Sequence, residues 1–567
     1  MKDRKARWYG GRAPGSRPAA TPVGARLLWH DPALWVCGDW QPEHVRILEL
    51  GSARLAVLGP CSATDHELGR ALVVPDLPTL ARTWAGSHTV VRLTERGRVE
   101  VLADTGAASP LYTVTTPDGP VWGSSSLALS SLAGGRVDTG WLAAYLRDKH
   151  SPAADRSPWA GVAPVPAGHL LTLGTEGGPT LTPWWSPSKR TPREASAALR
   201  QALGEGIRVR VEGVSATTDL AGMDSTTVTL LAAQYGPVTG MTAHPAGVTS
   251  GGDMRYAQAL DVPRLTRSPF PLSTRHLPFT ETDVPLPATD EPAPSTAVWA
   301  MLADQLGTMA AAGSVCHLTG DGGDNLFLST PAHLASLARS GNWLRMWGEA
   351  RDWARLRRQS PRPLIAAALR GNAYRIGRAN IGRPTWLTAP VPKVSAVTGP
   401  DPDMVLVAEL RTVARAAYSE LQLADSLGLA LHNPYFDGSV LDAVVSAPIE
   451  QRYSARRYKP MLADTFADLL PAEHRTRAAK GLMVGDFHLG LRRNRTRLLR
   501  LADGRLAALG LVNPAPLCAT LHAAALGAET IWPPLLSVLA AEAWLEAVER
   551  SPGTEWTYTA PTPAGAR

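Results

Sequence analysis

Residues 211–236 read VEGVSATTDLAGMDSTTVTLLAAQYG, and the fold class follows from this stretch. Its first ten residues form an apolar, strand-like segment. Asp219-Leu220-Ala221-Gly222-Met223-Asp224-Ser225-Thr226-Thr227 makes a turn, and TTVTLLAAQYG continues with helical spacing. A strand that passes into a helix through glycine aims backbone N–H groups and the positive helix end at an anion, while Ser and Thr hydroxyls add donors. An acid inside such a loop makes little sense for phosphate alone but suits a phosphate bridged by Mg²⁺. A simple helix N-cap at Asp224-Ser225 explains the local pattern equally well.

Downstream, PVTGMTAH at 237–244 is a second strand-like run and DMRYAQAL at 253–260 is helix-forming. A third run, SVCHLTG at 314–320, leads into Leu318-Thr319-Gly320-Asp321-Gly322-Gly323-Asp324-Asn325. Strands alternating with helices predict a parallel sheet with crossover helices. Acids interleaved with glycines at a strand's carboxyl end stand where open α/β sheets bind ligands. Taken singly, this loop is a polar Gly-rich turn. The chain from about 331 onward is largely helical in its spacing of Leu, Ala and Val.

Upstream, residues 26–185 carry short β-type runs and hairpins such as ERGRVEV and TTPDGPVWG, interrupted by helical patterns near 65–83 and 138–148. They predict an antiparallel α+β domain. Residues 186–194 read as a linker, with Trp184-Trp185 packing the domain junction. The second domain spans 195–550. Residues 1–25, rich in Arg, Gly and Pro, are expected to be poorly ordered, and 551–567 to form a tail.

At 567 residues with 44% hydrophobic and 19% charged residues, the chain is globular and has more than one domain. The 57 Lys plus Arg exceed the 50 Asp plus Glu, but only seven of the basic residues are Lys. Such an Arg excess reflects composition rather than a nucleic-acid patch. The Arg-rich stretch from Arg339 to Arg383, with Trp343, Trp347 and Trp353, reads as an amphipathic helix with a solvated side. Four scattered cysteines form no CxxC pair, which fits a reducing cytosol. No apolar run is long enough for a membrane span. A soluble, cytoplasmic protein without nucleic-acid or membrane partners is expected.

The two loops together resemble the pyrophosphate loop and the later GxGSD-type loop of the asparagine synthetase superfamily. His432-Asn433-Pro434-Tyr435-Phe436-Asp437 is similar to its R-x-P-F-L-D segment, Arg457-Tyr458-Lys459-Pro460-Met461-Leu462 to its K-x-x-L-R helix, and Arg477-Ala478-Ala479-Lys480-Gly481 to its R-x-x-K-G motif. Five ordered motifs are far more specific than one. Within the superfamily the likeness is to actinobacterial lasso peptide macrolactam cyclases, and it runs from about 27 to 550. It implies an amidotransferase-like (Ntn-type) α+β sandwich, then an α/β PP-loop ATP pyrophosphatase domain with a helical C-terminal part.

By that resemblance, Leu220, Ala221, Gly222, Met223, Asp224, Ser225 and Thr226 would bind ATP and its pyrophosphate, with the backbone of Leu318 and Gly320 facing the adenosine. Asp224 and Asp324 would hold Mg²⁺, Lys459 and Lys480 would stabilise the pyrophosphate, and Asp321 would be the base. The enzyme would adenylate an Asp or Glu side chain of a core peptide and join it to that peptide's own N-terminal amine. A leader-recognition protein and a leader peptidase would be partners. There are departures from the family: Lys2 stands where active amidotransferases carry their nucleophilic Cys, so glutaminase activity is not expected. The first loop is tighter or lacks the leading Ser and one Gly, and His432 replaces an Arg. Competing readings are a β-lactam synthetase-like ring closer, a PP-loop tRNA-modifying enzyme, and a non-catalytic peptide-holding scaffold.

Overall fold

A computed structural model describes residues 6–15, 19–149, 155–175, 178–248, 250–373, 376, 384–388, 401–477 and 484–559. The first half builds strands β1 (Trp8–Arg12), β2 (Ala19–Pro22), β3 (Arg26–His30), β4 (Ala33–Cys37), β5 (Val45–Leu50), β6 (Ala53–Leu58) and β7 (Thr89–Leu93). It continues with β8 (Val99–Leu102), β9 (Leu111–Thr116), β10 (Gly119–Gly123), β11 (Val162–Val165), β12 (His169–Leu173) and β13 (Thr180–Pro183). Two antiparallel six-stranded sheets result, ordered β11-β9-β10-β1-β4-β3 and β13-β12-β8-β7-β6-β5.

Alternation decides which side chains meet. Leu34 and Val36 of β4 point into the space between the sheets with Ala56, Leu58, Val91 and Val101. Their neighbours Leu55, Val57 and Val90 face outward onto the helix α1 (Asp65–Val73) and Leu77 of the next helix. Trp35 and Cys37 lie on the opposite outer face, under Trp141 and the C-terminal helix residue Trp544. The layering is helix–sheet–sheet–helix, the α+β sandwich expected.

For the described residues among the first 25, the expectation of poor order does not hold. β1 is an inner strand of its sheet, buried along its whole length, and Arg12 is only 2% exposed. The glycines that looked like disorder serve close packing. A Cβ on Gly10 would lie 2.5 Å from the Trp122 carbonyl oxygen, so only glycine lets β1 approach β10. The expected tail also takes part: β19 (Trp556–Thr559) pairs antiparallel with β2. Linker residues Lys189 and Arg190 are fixed by ion pairs to Asp403 and Asp442, and the following helix starts at Pro192, behind a Thr191–Glu194 capping box. Trp185 donates to Asp442 at 2.9 Å across the domain junction, as expected.

The second domain holds β14 (Ala216–Asp219), β15 (Val238–Pro245), β16 (Leu265–Leu272), β17 (Cys316–Leu318) and β18 (Ala430–His432), all parallel, in the order β16-β15-β14-β17-β18. The chain builds outward from β14 to β16, then returns to place β17 on the other side of β14. The strand order therefore reverses between β14 and β17, and a ligand crevice belongs beyond their carboxyl ends. β16, with Pro269 and Pro271, lies on the edge, where missing donors cost least. Helices dominate beyond 331, and among them Trp343–Leu356 buries Met346, Ala350 and Trp353. Trp343, Leu344 and Trp347 of the same helix are exposed. No helix among the described residues is long and apolar enough to cross a membrane.

Candidate functional site

β14 ends at Asp219, three residues turn, and the helix Met223–Tyr235 begins at once. The side chains of Leu220 and Met223 are buried, so these two residues offer the crevice only backbone. Leu220 N–H bonds the Met241 carbonyl at 2.8 Å, and Thr242 Oγ1 donates to the Leu220 carbonyl at 2.6 Å. Ser225 Oγ closes the turn, accepting from Ala221 N–H at 3.1 Å and donating to the Gly222 carbonyl at 3.3 Å. The first intrahelical bond runs from Thr226 N–H to Gly222 O, so the N–H groups just before it point out of the helix end. Thr226 itself is buried.

The second loop follows β17 and lies against the first. A Cβ on Gly320 would fall 2.7 Å from Ser225 N, so the glycine is what lets the two loops touch. Asp224 and Asp324 are brought together by Lys459. Its Nζ pairs with Asp224 Oδ2 and with Asp324 Oδ1, the latter at 2.5 Å, and its side chain is 1% exposed. Lys459 has φ 43°, a left-handed conformation that a β-carbon resists, immediately before the helix Pro460–Thr465. Such strain persists where the surroundings over-determine it. Burial alone would lower the Lys459 pKa, but the two carboxylates overcome it and hold the ammonium above its ordinary value.

The segment after β18 supports both loops from beneath. Tyr435 Oη donates to the Asp224 carbonyl at 3.1 Å, and Thr319 Oγ1 donates to Asn433 Oδ1 at 2.8 Å while accepting from Asp321 N–H at 3.0 Å. His432, standing where the family has Arg, is buried and meets His44 of the N-terminal domain edge to face at 5.8 Å. Burial first, then nearby Arg210, drives its pKa well below the ordinary value, so the ring is neutral.

Of the predicted residues, the structure unites the first loop, Leu318, Gly320, Asp321, Asp324 and Lys459 at one crevice. Lys480 falls at 478–483, outside the described residues. Its motif partner Arg477 does reach the site: it donates to the Ala221 carbonyl at 2.9 Å, pairs with Asp253, and stacks on Tyr256 at 4.3 Å. Sequence reasoning missed Glu420. This residue of the helix Pro402–Ser426 is buried and feels the charge of Asp321. Burial foremost, and the Asp321 charge next, push its pKa up to about 7. Nothing in the local sequence distinguishes it from any helical glutamate, because only the long-range packing puts it there.

The donor set fits Mg²⁺. Asp224 and Asp324 supply two carboxylate ligands at the crevice, and both are paired with the Lys459 ammonium. Mg²⁺ is characteristically bound through one or two carboxylates plus substrate phosphates.

An open parallel sheet with a charged crevice at its switch point and an anion-receiving helix end defines an α/β nucleotide-type site. The asparagine synthase family model matches residues 198–546, more than half of the sequence. The chain belongs to that family, whose members form amide bonds with ATP and release AMP, with Mg²⁺ as the usual ion. No curated protein matches it. Among solved structures, it is similar to the Bacillus subtilis glutamine phosphoribosylpyrophosphate amidotransferase complexed with ADP and GMP. That similarity has 10% identity over 56% of this chain and 76% of the other, with a TM-score of 0.22. A structure of the allosteric regulatory enzyme of purine biosynthesis aligns at 10% identity over 56% and 74%, with a TM-score of 0.21.

Proposed function

We propose that the chain is a lasso peptide cyclase: it adenylates an Asp or Glu side chain of a core peptide and closes a macrolactam on that peptide's N-terminal amine. The observation that carries the reading is the convergence of Asp224, Asp324 and Lys459 at the crevice that also holds Asp321, whose charge Glu420 feels. The first three suit pyrophosphate departure, and the last two suit proton removal from an amine.

In the first step the substrate carboxylate oxygen attacks the α-phosphorus and the bond to the bridging oxygen of pyrophosphate breaks. Bound Mg²⁺ would offset phosphate charge in that step. Lys459 is already desolvated and positioned, so its stabilisation of the leaving group requires no reorganisation. The helix end at Gly222–Ser225 receives phosphate oxygens, and Arg477 holds the loop carbonyl behind them. In the second step the amine attacks the acyl carbon, AMP leaves, and the amine proton passes to the Asp321–Glu420 pair. A base with a pKa near the working pH combines the right protonation state with driving force. Lys480 acts with Lys459 on the pyrophosphate, and the leader-recognition protein and leader peptidase present the freed amine.

The test is a pyrophosphate-release assay with ATP, Mg²⁺ and the leaderless core peptide encoded beside this gene, read with mass spectrometry. The expected product is AMP, pyrophosphate and a peptide lighter by one water, with the new bond on an acidic side chain. No ATP turnover with verified peptide and partners present overturns the reading.

A further inference from the structure

The helix Trp343–Leu356 and two neighbours, Leu334–Arg339 and Arg362–Leu369, close a small core of their own around Leu334, Met346, Trp353 and Ile365. Their charge is out of proportion to their length. Across residues 334–370, eight arginines stand against two acids, Glu349 and Asp352, so this stretch holds nearly all of the chain's net +7. All eight arginines are exposed. The two acids are mostly covered and already paired, Glu349 with His333 and Arg345, and Asp352 with Arg456. The surface therefore presents cations.

Large apolar side chains stand among those cations. Of the chain's 18 tryptophans, Trp343 and Trp347 are the only exposed ones among the described residues, and Leu344 between them is 92% exposed. Met346, Ala350 and Trp353 serve the local core, so the fold already has its apolar contacts from this helix. Leu344, Trp347, Arg351 and Arg355 follow one another three or four residues apart. They share one stripe along the helix, apolar in its first turn and cationic beyond it. The Arg355 side chain at its end is 82% exposed.

From this we infer that the stripe and its surrounding arginines dock the chain peripherally on a bilayer containing anionic phospholipid. Charge complementarity selects the partner, because each arginine near an anionic bilayer surface adds to the attraction. The apolar turn favours a bilayer over a nucleic acid. Indoles seat at headgroup level and an aliphatic side chain leaves water at the acyl boundary, whereas Leu344 gains little on a phosphate backbone. The expectation of no membrane partner comes from the lack of a spanning segment, and a contact of this kind needs none. The inference does not depend on the cyclase reading.

The experiment is co-sedimentation of the full chain with vesicles of phosphatidylcholine alone, and with vesicles in which about one lipid in three is phosphatidylglycerol. The expected result is binding to the anionic vesicles about tenfold tighter or more, weakening as salt rises. Brominated acyl chains should quench part of the tryptophan emission. Arg351→Glu combined with Arg355→Glu should remove the preference for anionic lipid, and Leu344→Glu should weaken binding about tenfold. Equal binding to both kinds of vesicle, or variants that bind as the parent does, overturns the inference. A single-stranded RNA oligomer that binds more tightly than the vesicles and displaces the chain from them overturns it in favour of a nucleic-acid face. Pyrophosphate release without vesicles tests the cyclase reading separately and should be unchanged in these variants.

Discussion

In the N-terminal sandwich, Tyr9 and Asp104 are buried polar groups held by nearby hydroxyls and backbone N–H groups, whereas the parallel sheet gathers several charges at one mouth. Tyr9 Oη lies between Thr89 at 2.7 Å and Ser109 at 2.5 Å, and Asp104 accepts backbone N–H groups from residues 106, 108 and 109. Burial raises the Asp104 pKa to about 7 and the Cys61 thiol to about 12. At the sheet mouth, by contrast, an ammonium in a left-handed backbone conformation holds two carboxylates together. Convergent charge on a strained backbone is the signature of a site. The two regions meet at Asp437, which ends the segment carrying Asn433 and Tyr435 and is itself buried in an ion pair with Arg210, beside Ser87 of the sandwich. The scaffold thus grips the site's floor.

Cutting that grip should do the most damage. Asp437→Ala leaves the guanidinium of Arg210 buried without its carboxylate, and such losses cost about 3–5 kcal/mol. A large fall in the urea midpoint is expected, and a midpoint within error of the parent would show that the buried Arg210–Asp437 pair does not hold the site's floor. Lys459→Ala acts at the site and also leaves the Asp224 carboxylate without its ammonium. Pyrophosphate release should fall about 10²- to 10³-fold, the usual cost of removing a preorganised donor, with the circular dichroism spectrum unchanged. Near-parental turnover would return Lys459 to a structural role. Arg477→Ala frees the Ala221 carbonyl and removes the Asp253 ion pair and the Tyr256 stack. A charged hydrogen bond of about 1.5–3 kcal/mol predicts a rise in the KM for ATP of about tenfold or more, with kcat less affected.

Much of the fold and of the crevice is legible in the sequence, and the reasons are local. The stretch 216–235 reads as strand, turn and helix because its β-run, glycine and helical spacing agree with one another. Asp224, Asp324 and Lys459 are reachable because each stands in an ordered motif. What escapes is decided at long range. β18 is three residues long and follows a 25-residue helix, so periodicity has nothing to measure. Glu420 becomes acidic-site chemistry only through burial beside Asp321, two segments about a hundred residues apart. β1 misleads for a different reason: Gly10 and Gly11 look like loop chemistry in one dimension but are the thinness that two tryptophans require in three.

The Asp321–Glu420 pair carries the contrast between the two regions further, because burial in the scaffold neutralises carboxyl groups and here the same force sets a working range. The pair must lose a proton before it can accept one from the amine. Ring closure should therefore rise with pH through about 7 and fall on the acid side. Removing the Asp321 charge with Asp321→Asn removes one of the two causes of the shift, so the acid limb should move to lower pH without reaching an ordinary glutamate value, since burial remains. An acid limb that stays put in Asp321→Asn would show that Glu420 is not the titrating group.

The weakest effects should come from the scaffold's thiols. A thiol nucleophile needs an accessible, electropositive setting that lowers its pKa. Cys37 is buried against the outer helices, and burial holds Cys61 and Cys316 at about 12. Cys37→Ala and Cys61→Ala should each change pyrophosphate release by less than about twofold, and glutamine should yield no glutamate in the parent protein. Glutamate formed by the parent and abolished by either substitution would make the sandwich a second catalytic domain. Its buried polar groups would then be the lining of a site, and the division of labour between the two regions would fail.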